Sequence, residues 1–132
     1  MLRAVTEIES IADSCNNLAR AIKRRNEGKG EFTESLNHNM DQMFAIVDQA
    51  LQQMNVILHK PEAVHDDINI SYNVENEINN YRNQLKIKNM EDVNNKAYDY
   101  QVGVYYMDMV AECEKLGDYV LNVVQAVIEK KI

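Results

Sequence analysis

The chain is poor in the residues that build catalytic loops: of its 132 residues four are glycine, one is proline and two are cysteine. So few glycines leave little material for phosphate-cradling turns, and no P-loop, dinucleotide-binding turn, G-x-S-x-G elbow or zinc-finger spacing occurs. With no nucleophile set beside a general base, no enzymatic activity is expected. Cys15 and Cys113 show no C-x-x-C spacing and fall at apolar positions, so they read as small core residues of a reducing, cytoplasmic compartment. No apolar run approaches the roughly 18 to 20 residues of a membrane span, and the first residues, with Arg3, Glu7 and Glu9, carry no signal-type apolar segment. Basic residues are scarce as well. Against 21 Asp+Glu stand 14 Lys+Arg, a net charge of -7 that repels nucleic-acid phosphates and anionic lipid. The short run Lys23, Arg24, Arg25 reads as the cationic last turn of a helix, where it opposes the helix dipole.

What the chain does have is hydrophobic content, 45%, arranged with a 3-then-4 spacing over most of its length. That period predicts an all-α protein, an antiparallel up-down four-helix bundle in a single domain. The first helix is expected from about Leu2 to Asn26, closed by Gly28 and Gly30. The second begins near Thr33, turning Leu36, Met40, Met43, Val47, Leu51, Met54 and Leu58 inward. Pro61 breaks it and is expected to open a third helix to about residue 88, with Ile68, Val74, Ile78, Tyr81 and Leu85 buried and many asparagines weakening it. The fourth is expected from an N-cap at Asn89 to Lys131. At about 60 Å it would outrun the first helix and overhang the bundle. Of the tyrosines on it, Tyr105 reads as core, while Tyr98, Tyr100, Tyr106 and Tyr119 suit a partner surface on the overhang, through which the chain would form a homodimer.

The first and last helices share one pattern. Glu7, Glu9, Asp13, Asn17 and Ala21 return as Glu112, Glu114, Asp118, Asn122 and Ala126, with apolar residues between them in the same register. Carboxylates four residues apart repel across a helical turn by a few tenths of a kcal/mol unless a cation sits between them. Two such pairs, Glu9/Asp13 and Glu114/Asp118, invite a metal reading, and hard oxygen ligands suit iron, manganese, magnesium or calcium. The plain alternative is that these residues solvate outer helix faces. A carboxylate-bridged di-metal bundle would need two E-x-x-H motifs, whereas the chain has only Glu62/His65, which excludes a ferritin-like enzyme. His38 and His59 sit singly and read as surface residues.

At E-K-L-G-D (114 to 118) and E-S-I-A-D (9 to 13) the chain resembles the PhoU family, whose helical repeats carry an E-R-I-G-D type signature. On that resemblance residues 1–27 are the last helix of a preceding repeat and residues 33–131 one three-helix repeat, the whole a fragment of a longer protein. The resemblance implies a regulatory role in phosphate uptake, as the cytoplasmic C-terminal domain of a bacterial sodium/phosphate cotransporter on the inner membrane. It also implies an iron or zinc site built from Glu9, Asp13, Glu114 and Asp118, with Glu75 as the remaining half of a second acidic pair whose other position is Ser71. The family's arginine is Ser10 in one copy and Lys115 in the other. The rival expectation is a structural helical adaptor that dimerises and binds no metal.

Overall fold

The computed structural model describes residues 2–28, 30–62 and 65–131, which form an all-α four-helix bundle: α1 (Leu2–Glu27), α2 (Glu34–His59), α3 (His65–Asn94) and α4 (Tyr100–Lys131). Successive helices run antiparallel, and α4 lies at the centre. The α2–α3 hairpin packs on one side of α4 and α1 along the other. Among the described residues α1 packs along α4 alone, apart from Arg25 at its end, whose guanidinium reaches Asn37 of α2 and stacks 4.5 Å from the Phe32 ring centre.

Local chemistry sets most of the boundaries. Past Glu27 the chain turns through Gly28 and Gly30; Gly30 takes a φ of 101°, which only glycine adopts without strain. A Cβ on Gly28 would stand 2.6 Å from the Tyr105 ring, so this turn can lie flat against α4. Thr33 caps α2, its hydroxyl accepting from the Leu36 N–H at 3.1 Å. Pro61 ends α2 by holding Lys60 extended, but it does not open α3. That helix starts at His65, with Asp66 and Asp67 in its first turn, where carboxylates meet the positive end of the dipole.

The largest departure from expectation lies between α3 and α4. The third helix continues past residue 88 to Asn94, and Asn89 is interior to it, accepting from the Tyr98 hydroxyl at 2.6 Å. The helix closes in a Schellman turn: the Lys96 N–H donates to the Val93 carbonyl (3.1 Å), the Ala97 N–H to that of Asp92 (2.9 Å), and Lys96 sits at φ 59°. At 32 residues α4 is therefore about 48 Å long, not about 60 Å; it outruns the 26-residue α1, at about 39 Å, but the 30-residue α3, at about 45 Å, runs beside it, so the long overhang expected of it does not exist. Tyr106, not Tyr105, fills the core, edge-on to Phe32 with ring centres 5.8 Å apart.

Because α4 is covered on both sides, it contributes Val102, Met109, Val110, Cys113, Leu116, Val120, Val123 and Val124 to the core. Leu36, Met40, Met43 and Val47 of α2 are buried as expected, but beyond them Ala50 and Ile57 turn inward while Leu51 and Leu58 are half-buried. From α3 come Val74, Ile78 and Leu85, with Ser71 and Asp67 buried beside them. Asp67 is held by Lys60 at 2.6 Å, so its charge is not buried alone. Cys113 is in the core, and burial, with Glu112 nearby, pushes its thiol up to about 12. Cys15, expected to be core, is exposed, because the face of α1 that carries it meets no other helix.

Candidate functional site

One cluster of charged groups forms between α3 and α4. Glu114 and Asp118 stand a helical turn apart on α4, and the antiparallel run of α3 brings Arg82 level with the first and Glu75 level with the second. The Arg82 Nε lies 2.8 Å from Glu114 Oε2, off the line of its N–H, so the contact is an ion pair without an aligned hydrogen bond. The Asn79 amide nitrogen donates to the Glu75 carboxylate.

Asp118 is the perturbed group. Its carboxyl is pushed up from the ordinary carboxylate range to about 6, first by burial, then by hydrogen bonding with the Glu75 carboxyl and by repulsion from Glu75 and Glu114; the Arg82 guanidinium opposes part of this. The arrangement sets a carboxyl that takes up its proton near pH 6, Asp118, one helical turn from an ion pair between Arg82 and Glu114.

Of the five acidic residues singled out in the sequence, then, Glu75, Glu114 and Asp118 meet, and Glu9 and Asp13 stand apart on α1, both exposed. An iron or zinc site held mainly by protein would turn three or more side-chain ligands on one point, and among the described residues no such group of His, Cys, Asp or Glu occurs. The position that a cation would take beside Glu114 is filled by Arg82. The described residues therefore do not form an iron or zinc cage closed by three protein ligands. Arg82 escaped notice in the sequence, although it is the one arginine of α3 and lies two turns beyond Glu75. Of the other residues considered, His38, His59 and Glu62 are exposed, and the His65 side chain lies outside the described residues.

The repeated motif also has a structural use. Its first glutamate and its asparagine hold α1 to α4: the Asn122 amide donates to Glu7 at 3.3 Å, and the related pair, Asn17 and Glu112, borders one small cavity of about 100 Å³. In that cavity Ser14 donates to Glu112 at 3.2 Å, while Lys115 reaches the same carboxylate at 3.4 Å. Lys115 thus folds back along its own helix. Antiparallel packing of two copies of one motif makes such contacts in pairs.

The tyrosines divide in the same way. Tyr106 is 1% exposed, and burial pushes its phenol up to about 12. Tyr81 donates to Asn39 at 3.4 Å, Tyr119 is half-buried, and Tyr100 is 73% exposed beside a groove of about 330 Å³ lined by Met90, Val93, Val104 and Met107. No described helix is long and apolar enough to cross a membrane. No family model, curated protein or solved structure matches the chain.

Proposed function

We propose that this chain is a non-catalytic, PhoU-like regulatory module of a sodium-dependent phosphate transporter, held on the cytoplasmic side of the inner membrane by the transporter portion. The observation that carries the reading is the α3–α4 cluster. The doubled E-x-x-x-D signature resembles that of PhoU repeats, and its second copy has Glu75 of the preceding helix beside it, the position at which the resemblance calls for a further carboxylate. Arg82 already pairs with Glu114, so iron or zinc bound there would have to displace its guanidinium.

Deletion of the gene in its source organism, followed by uptake of labelled phosphate, tests the proposal. Altered uptake that is restored by the natural chain and not by Glu114→Gln with Asp118→Asn is the expected result; unchanged uptake refutes the phosphate role. Metal content of untagged protein after exposure to iron and zinc, beside the same double variant, decides the metal question separately. The second reading, a helical adaptor without metal, no longer has an overhanging helix behind it. It is favoured instead by the apolar groove at the α3–α4 turn, where Met90 and Tyr100 are 59% and 73% exposed.

A further inference from the structure

Asparagine is a poor choice for the middle of a helix, because its side chain competes with the backbone for hydrogen bonds, yet α3 carries a line of them. Asn69, Asn73, Asn76, Asn80 and Asn83 recur at steps of four and three residues, and all are exposed. The line continues in the same step through Ile87 and Met90, exposed at 60% and 59%. At 3.6 residues per turn it lies opposite Val74, Ile78 and Leu85, which are buried where α3 meets α2 and α4, so no described helix covers it. On the α2 side an open groove of about 460 Å³ separates Asn76 and Asn80 from Gln42. A helix face that only meets water is normally built from Glu, Lys and Arg, which are good helix formers as well as soluble. Such residues occupy other exposed positions of α3, Glu77, Lys86, Lys88 and Glu91, but none stands on this line, in a chain that is 27% charged.

The alternating step of four and three is that of a coiled-coil seam, in which a buried asparagine pairs with its counterpart across the interface and fixes register at some expense of affinity. We propose that the chain forms a homodimer through this line, with two copies of α3 running parallel and in register about a two-fold axis. Each level then meets its own kind. Asparagine faces asparagine, where the amides can exchange hydrogen bonds, and Ile87 and Met90 face their own duplicates. Charge agrees with this register. With Asn73, Asn80 and Ile87 at a positions and Asn76, Asn83 and Met90 at d positions, Lys86 falls at g and Glu91 at the following e. Parallel packing brings that g residue of one helix to that e residue of the other, so Lys86 meets Glu91 of the second copy, twice in each dimer. Within the chain neither is in an ion pair among the described residues, whereas the neighbouring Lys88 holds Asp92 at 3.1 Å. Antiparallel pairing would set Ile87 and Met90 against asparagines and lose the Lys86–Glu91 contact. A helix of another protein would have to supply the amides, the apolar end and the charges separately, whereas a second copy brings all three. This dimer uses α3 in place of the overhang expected of α4, and it does not depend on a phosphate role.

Sedimentation equilibrium of the full chain from about 1 µM to about 1 mM tests the proposal. The mass should rise to twice that of one chain with a Kd of about 50 µM, weak because most of the seam is amide. Asn76→Lys with Asn80→Lys, both at exposed positions and with the helix signal as a check on folding, should raise Kd about tenfold or more. Lys86→Glu should raise it about fivefold, and adding Glu91→Lys to the same chain should return it to the natural value. Register is read by oxidation in a Cys15→Ser background, which removes the exposed thiol and leaves Cys113 buried. Asn73→Cys and Ile87→Cys, made one at a time, should each give a disulfide-linked dimer, since a parallel pair sets every position of the line opposite itself, whereas Lys88→Cys, off the line, should not. Three results overturn the proposal. One is the mass of a single chain at about 1 mM, well above the expected Kd. Another is a dimer whose affinity the two lysines leave unmoved, which places the interface elsewhere. The third is linking that does not favour both line positions over Lys88→Cys, which means that the two helices are not parallel and in register.

Discussion

Replacement of Asp118 by asparagine removes the group that the α3–α4 cluster strains most, so Asp118→Asn is expected to stabilise the protein at neutral pH and to do nothing of the kind in acid. The carboxyl moves from an ordinary value of 3.8 to about 6 on folding. A shift of roughly 2 units is worth at most about 3 kcal/mol, at about 1.4 kcal/mol per unit. Asp118 is only partly buried, and solvent screens most of that, leaving about 1 kcal/mol. The sign follows from proton counting. Between about pH 4 and about pH 6 the folded chain binds this proton more tightly than the unfolded chain, so its contribution to stability is present below the window and is lost as pH rises through it. Asparagine is neutral throughout and keeps a donor for Glu75, as the protonated acid does. Urea unfolding of both proteins, followed by helix signal, should therefore give a midpoint difference near zero at about pH 4 that grows to about 1 kcal/mol in favour of the variant at about pH 7.5, with unchanged slope. A difference that is independent of pH, or a variant less stable than the natural chain at about pH 7.5, would refute the account of the raised Asp118 carboxyl.

Lys96→Gly should raise stability by about 0.5 to 1 kcal/mol in the same assay, because a left-handed position is strained for lysine and open to glycine; a loss would mean that the Schellman turn is not the one described. Asp67→Ala should lower stability by about 1 to 2 kcal/mol, since it removes the buried carboxylate that accepts from Lys60 in the first turn of α3, and thermal unfolding reads the loss directly. Of the two thiols, Cys15 should react with an aromatic disulfide in the folded protein and Cys113 only on unfolding; equal rates in native buffer would contradict the burial of α4.

Much of this architecture was legible along the chain, and particular residues show why. Where a boundary is written in local chemistry it could be read: Gly30 must take a positive φ, Thr33 caps with its own hydroxyl, and Pro61 holds the residue before it extended. The 3-then-4 spacing likewise marked Leu36, Met40, Met43 and Val47 as core without knowledge of their neighbours. The turn at residues 95–99 escaped because its chemistry is borrowed from backbone carbonyls and from a lysine in a glycine-like conformation, so no residue type announces it. Its misplacement created an overhang that the fold does not contain.

The sequence by itself determined the helices, most of their inward faces and the pairing of carboxylates at four-residue spacing, because each depends on residues within a turn or two of one another. Only the tertiary structure decided which neighbours those faces meet. It set Arg82 and Glu75 from α3 against Glu114 and Asp118, and it buried the Cys113 face of α4. It left Glu9, Asp13 and Cys15 of the duplicate pattern in solvent. Two copies of one motif differ in charge state and burial because those properties belong to what packs against a helix, and only α4 has a hairpin across its second face.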